Sequence, residues 1–413
     1  MHLYELPLFF VLGGLALYTV LGGADFGAGW WQLGAGRGPH ADRIRDHAHH
    51  AMAPVWEANH VWLIFVLTVF WTAYPVAFAS ITSTLAIPLF VAGLGIILRG
   101  AAYALRVAAE SPREARRIDT AFAFSSILTP LALGSAVGGI ASRRVPVGNA
   151  AGDLVSSWAN TTSISIGALA LAAAAYMAAV FLAADAVRIG DAELEVAFRR
   201  RALATGVVAG AVAIAALFAV RSDAHPLFRR LVDGQGLPAL IISILAGIAT
   251  LALVWRKRYE PARYSAAVAV AAIIAGWALA QSPVLLPGLT VKTAAAPRET
   301  LVAIVVAVLA GAVVLFPSLA WLFKLVLSGS FDQAEEQQMP PPARPLLRTT
   351  AEGLSARVAV ALLIVGVGFT TIADSRWAHA VGVTSLLLFV AVAFPSALPP
   401  EVRPSETAHR RPD

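Results

Sequence analysis

Gly22-Gly-Ala-Asp25-Phe-Gly-Ala-Gly29-Trp-Trp31 and, after a turn bearing arginine and histidine, Ala53-Pro54-Val-Trp56-Glu57-Ala-Asn59-His60-Val-Trp62 decide how this chain is read. Both stretches sit in long apolar runs. Both also carry ionisable residues at a depth where charge is costly and needs a reason. Outward from them the sequence is mostly apolar helix, so this is where chemistry is sought.

Of 413 residues, 58% are hydrophobic and only 14% charged, with a mean hydropathy of +0.72. Soluble domains carry about 25% charged residues, so the composition is that of an integral membrane protein. The apolar runs are rich in Ala, Val, Leu and Ile and suit helices rising about 1.5 Å per residue across about 30 Å of hydrocarbon. Alternating barrel strands are not seen. The expected fold is all-α, a polytopic membrane helical bundle. The chain has no cysteine, which excludes disulfides, thiolate-ligated zinc or haem, and iron–sulfur clusters. The first apolar run lacks a basic start and keeps Asp25, so it reads as a true span and not as a cleaved signal. The net charge of +6 comes from arginines in short loops beside spans. Membrane orientation explains these better than nucleic-acid binding.

Spans are expected at about 5–33, 52–74, 79–105, 118–141, 161–186, 202–220, 236–255, 263–281, 299–327, 355–373 and 377–396, eleven helices in all. Loops with Arg43 and Arg45, Arg113 to Arg117, Arg199 to Arg201, and Arg256 to Arg258 fall on one side and outweigh the other. The positive-inside rule then puts the N-terminus outside and the C-terminus in the cytoplasm. Helices 1–4 and 5–8 form two similar sets, each with an acid near the inner end of its first member, Asp25 and Asp185. A Pro-rich stretch around Met339-Pro-Pro-Pro-Ala-Arg344 separates a terminal pair of helices, and the polar tail reads as disordered.

Counting rise along the helices, Asp25 lies about 30 Å into helix 1 and Arg99 about 30 Å into helix 3. Glu57 and His60 lie roughly 8 and 12 Å inside the start of helix 2. These four residues share one layer near the inner surface, and Glu57 and His60 share a helix face. A carboxyl beside a histidine can pass a proton near neutral pH. A closed ion pair of Arg99 with Asp25 or Glu57, pinning helices 1 to 3, is the other reading of the same residues.

Glu57 and His60 also have the Glu-x-x-His spacing of di-iron bundles, but no other span supplies the second such pair. No metal site is expected. His60 is the one histidine well inside a span and Met177 the one mid-membrane methionine, a poor basis for axial haem ligation. His40, His47, His49 and His50 read as a solvated loop cluster. Trp56, Trp62 and Trp71 read as packing and interface anchors. Gly22, Gly23, Gly27 and Gly29 read as sites of close helix approach.

The combination resembles subunit II of cytochrome bd-type quinol oxidases. The resemblance rests on Ala24-Asp25-Phe-Gly-Ala-Gly29, then Ala53-Pro54-Val-Trp56-Glu57-Ala-Asn59-His60-Val-Trp62, then the Trp71-Thr-Ala-Tyr-Pro75 exit. Arg99 and Ser282-Pro283-Val-Leu-Leu-Pro287 extend it. It covers residues 1–327 and implies two four-helix bundles plus one peripheral helix. Residues 328–351 would be a cytoplasmic linker, 352–398 an extra helix pair and 399–413 a tail. The resemblance further implies a subunit that ligates no haem itself, paired with a subunit I that holds haem b, haem d and the quinol site. Small accessory subunits and a structural quinone are compatible with it. The complex would oxidise quinol and reduce oxygen to water with protons from the cytoplasm. Glu57 and Asp25 match the family's proton-supply acids; their shared depth with His60 and Arg99 adds the expectation that His60 is an auxiliary relay and Arg99 an electrostatic tuner. Gly22 stands where some members carry a second acid, and His60 where some carry Gln. A proton-coupled secondary transporter is the alternative, and a purely structural scaffold a third reading.

Overall fold

In the computed structural model of the chain, residues 2–36, 38–106, 111–327, 354–371 and 375–397 are described. After a 3-10 turn at Leu3–Glu5 come α1 (Leu6–Leu33), α2 (Pro39–Ala73), α3 (Pro75–Thr84), α4 (Ala86–Arg106), α5 (Pro112–Ala141) and α6 (Thr161–Arg188). Then follow α7 (Ala192–Asp223), α8 (His225–Val232), α9 (Leu237–Trp255) and α10 (Tyr259–Gln281). A two-stranded hairpin of β1 (Val284–Leu286) and β2 (Leu289–Thr290), α11 (Val291–Ala294) and α12 (Arg298–Leu327) complete the sequence up to the Pro-rich stretch. By length and composition, eight helices among the described residues could cross a membrane, while Asn59–Ala73 and Ala380–Val392 are shorter apolar segments. The chain is therefore an all-α, multi-pass membrane protein.

Four expectations need correcting. The span expected at 79–105 is two helices broken at Leu85 (φ −98°, ψ 27°). Pro88 has no N–H to give the carbonyl of Thr84, so the helical ladder lacks a bond at this break. α2 begins at Pro39, so the histidine-bearing turn expected before residue 52 is helical instead. Ala41, Ile44 and Ala48 recur at helical spacing and are buried, which supplies the apolar face that holds it. α7 starts at Ala192, ten residues before the expected span; its N-cap Asp191 accepts from the backbone N–H groups of Glu193 (3.1 Å) and Leu194 (3.0 Å). Finally, α8 and the hairpin occupy segments expected as loops, with Gly288 in the left-handed region (φ 79°) at the hairpin turn.

The chain divides into two compact units, Met1–Phe316 and Pro317–Asp413. In the first, α1 packs against α2, α5, α6 and α10; α4 packs on α5, α6 on α7, and α9 on α10. Its most buried stretch is the second half of α6, where Met177, Val180 and Leu182 are fully buried among Ala24, Ala28 and Phe198. A side chain at Gly27 would drive its Cβ to 1.9 Å from the carbonyl oxygen of Ala174, so only glycine lets α1 and α6 approach this closely. At the hairpin end, Tyr74 ties the chain together: its hydroxyl donates to Tyr4 O (2.6 Å) and accepts from Leu8 N–H (3.0 Å). In the second unit, Leu354–Thr371 and Arg376–Ala397 pack on each other. The linker expected at 328–351 and the tail expected at 399–413 lie outside the described residues.

Candidate functional site

Asp25 lies two turns before the end of α1 and is 1% exposed. Arg99, late in α4 and equally buried, pairs with its Oδ1 through Nη2. The same nitrogen donates to the backbone carbonyl of Asp25 at 2.9 Å. Arg99 Nη1 donates to Ser126 Oγ on α5, and Ser126 passes its own proton to Phe122 O at 2.6 Å. The guanidinium lies 4.0 Å from the centre of the Phe122 ring and 5.1 Å from that of Phe26. Such stacking suits a planar, weakly hydrated cation. One arginine thus joins α1, α4 and α5. Gly29 makes room for it, since a Cβ there would stand 2.1 Å from Ser126 Oγ and 3.1 Å from Arg99 Nη1.

The other carboxylate oxygen, Asp25 Oδ2, is buried without a hydrogen-bond partner. His60 of α2 and Tyr18 of α1 lie within electrostatic range of this carboxylate. Tyr18 is two helical turns before Asp25 and its buried hydroxyl also lacks a hydrogen-bond partner. So do both amide atoms of Asn59, a fully buried residue whose side chain rests against Gly22. Of the four residues expected in one layer, Asp25 and Arg99 meet directly and His60 lies within electrostatic range of Asp25. Glu57 falls within α2, but its side chain lies outside the described residues. Tyr18, Ser126 and Asn59 were not singled out from the sequence. For Tyr18 the signal was its spacing of seven from Asp25, which puts both on one helix face.

A second buried cluster lies near the end of α6. His47, expected in solvent, is 7% exposed and packs its ring 5.5 Å from that of Phe198. Its Nε2 donates to the carbonyl of Leu182 at 3.0 Å, which fixes the proton on that nitrogen because a carbonyl only accepts. Nδ1 then faces Asp185 Oδ2 at 3.9 Å, while Arg188 holds Asp185 Oδ1 at 2.6 Å. Asp25 and Asp185 are thus both buried acids, but they are not served alike. Asp25 takes its cation from α4, whereas Asp185 is approached by His47 of α2 and Arg188 of its own helix. Just outside, Arg43 bonds Glu193 at 2.5 Å and pairs with Asp191. The Leu194 N–H, then Arg43, hold the Asp191 carboxyl below the usual carboxylate range.

The donors fit a haem iron poorly. His47 has one ring nitrogen committed to Leu182 and the other turned to Asp185, and Met177 is packed on all sides in the α1–α6 core. Among the described residues no three His, Cys, Asp or Glu side chains converge as a metal cage would require.

Residues 3–326 match the sequence model of the family described as cytochrome bd terminal oxidase subunit II. The chain is 21% identical over 329 residues to the putative cytochrome bd menaquinol oxidase subunit II of Bacillus subtilis (strain 168), covering 77% of this chain and 93% of that one. Its fold is similar to that of a chain of the bd oxidase from Geobacillus thermodenitrificans, with a TM-score of 0.66 at 23% identity, over 79% of this chain and 99% of the other. Members of the family are subunits of a haem-containing quinol oxidase, an oxidoreductase complex of the membrane in which subunit I is the partner. With the family match running over most of its length, this chain belongs to the cytochrome bd terminal oxidase subunit II family.

Proposed function

We propose that this chain supplies a proton path to its haem-bearing partner and stabilises it, through Asp25, Glu57 and His60, with Arg99 tuning the Asp25 charge. The observation that carries the reading is the half-engaged state of buried Asp25: one oxygen is held by Arg99 and the other has no hydrogen-bond partner. A carboxylate so placed can take up a proton on the unpartnered oxygen, giving up its charge but keeping the Arg99 hydrogen bond to Oδ1 that fixes its position. Tyr18 and His60, within electrostatic range, are the groups with which that proton would exchange. Glu57 and His60, three apart on α2, would hand protons from the arginine-rich end of the bundle to Asp25.

In this reading α1 to α5 and α6 to α10 form two four-helix bundles, with α3 and α4 as one broken span and α8 as a surface helix. α12 is peripheral, residues 328–351 are a linker, and the last helix pair is an addition to the family plan. The N-terminus is outside, so the end of the bundle bearing Arg43, Arg188 and Arg258 faces the cytoplasm. Haem b and haem d belong to the partner, where they take electrons from quinol and reduce oxygen. This chain's residues bind and move protons only. Small accessory subunits and a bound quinone are compatible with the reading. Family membership sets the carrier reading aside.

The test is quinol-dependent oxygen uptake and the haem absorption spectrum of the purified complex carrying Glu57→Gln or Asp25→Asn. Turnover is expected to fall by about tenfold or more, in line with loss of a positioned proton donor, while the haem bands stay. Loss of haem and turnover together would assign these residues to scaffolding instead.

A further inference from the structure

A groove of about 410 Å³ opens where the end of α6 meets the turn between α9 and α10. Arg188, Lys257 and Arg258 line it, together with one acid, Glu260, which is paired with Arg263 at 3.2 Å. Arg188 and Lys257 each use one contact within the chain, to Asp185 at 2.6 Å and to Glu195 at 3.2 Å. More than half of each side chain is still exposed, at 57% and 56%. Arg258 is exposed and has no ion pair among the described residues. It is also the N-cap of α10 and makes no side-chain cap bond, so the positive end of that helix opens into the same groove. Lys257 holds a left-handed backbone (φ 59°) at a helix end where glycine is the usual residue, and it lines the groove.

Apolar side chains face outward in and beside this positive floor: Val187, in its lining, is 50% exposed, and Trp255 and Tyr264, just before and after the lining residues 257–261 in sequence, are 68% and 72% exposed. An aromatic and aliphatic rim at the end of membrane-spanning helices is the setting of a lipid headgroup, not of a soluble anion.

We propose that this groove binds the phosphate of an anionic phospholipid, with Arg188, Lys257 and Arg258 on the phosphate and the acyl chains along Val187, Trp255 and Tyr264. The proposal is independent of the proton path, because none of these residues belongs to it. Basic pockets between membrane helices suit such headgroups, and each cation near the surface contributes about a fivefold gain in affinity.

The test uses the purified oxidase complex containing this chain, stripped of lipid and placed in nanodiscs of phosphatidylcholine with or without phosphatidylglycerol. Bound lipid is counted by extraction and mass spectrometry. The triple change Arg188→Gln, Lys257→Gln, Arg258→Gln should weaken phosphatidylglycerol retention about a hundredfold. A control triple at Arg143, Arg221 and Arg229 should leave it unchanged. If the triple variant does not assemble, Arg258→Gln alone, at an exposed residue with no ion pair to lose, should still show the fivefold loss. Retention unaffected by Arg258→Gln and by the triple would overturn the proposal. So would inorganic phosphate displacing the lipid and binding alone in phosphatidylcholine discs, which would make the groove a site for a soluble anion.

Discussion

Replacing Asp25 by Asn removes the carboxylate that pairs with Arg99, a guanidinium that is 1% exposed. Taking one partner from a buried ion pair costs about 3–5 kcal/mol, because the remaining charge stays buried without compensation. Here the loss is expected at the low end, about 3 kcal/mol. Arg99 keeps the Asp25 backbone carbonyl at 2.9 Å, Ser126 Oγ and the Phe122 ring at 4.0 Å. The converse change, Arg99→Gln, strands the carboxylate with no comparable partner and should cost more, about 4–5 kcal/mol. The double variant removes both charges and should be less damaged than either single one, since neutral replacement of a buried pair is often near break-even. The assay is denaturant unfolding of the purified complex in detergent across the full double-mutant cycle. A coupling of more than about 4 kcal/mol is expected from these losses. If the two losses simply add, the residues do not act as a pair and the site as described is wrong.

Two further changes test the second cluster and its surroundings. His47→Leu keeps the packing against Phe198 but leaves Leu182 O without its donor, so a loss of about 1–3 kcal/mol is expected in the same unfolding assay; a change below about 0.5 kcal/mol would return His47 to the solvent. Asp191 has its folded-state pKa lowered by the Leu194 N–H and by Arg43, so its contribution is complete above the unfolded value of about 3.9 and fades as pH falls through the folded one. Asp191→Ala should therefore cost about 1 kcal/mol near neutral pH, the usual worth of an N-cap. The difference from the parent chain should shrink only in strong acid, as read from unfolding curves over a pH series.

Much of the fold was legible because the bilayer imposes a coarse rule. A segment of about 20 apolar residues must become a helix, since lipid offers no partner to its backbone. Residues 5–33, 161–186 and 236–255 therefore appear as α1, α6 and α9 almost as read. What escaped the reading is where helices break or extend outside the hydrocarbon. Leu85 interrupts an apolar run through the missing donor of Pro88 three residues on, and the polar start of α2 is helical because it docks on α6 and α7. Apolar content is silent on both, because it registers neither the missing N–H of a proline inside an apolar run nor a docking partner far along the chain.

At the site, residue type and depth along the helix were enough to bring Asp25, His60 and Arg99 into one layer. They left open whether Arg99 would choose Asp25 or Glu57, and gave no sign that Ser126 and Phe122 would complete its coordination. The sequence placed His47 in water for a similar reason: its burial comes from Leu182, Asp185 and Phe198, all more than 130 residues away in the chain. The sequence by itself determined that this is a helical membrane protein with costly polar residues near one end, because hydrophobicity and rise per residue are local properties. Only the tertiary structure decided which charge meets which, because that depends on the rotation and approach of helices far apart in sequence. At Gly27 and Gly29 that approach is set by the absence of a single Cβ.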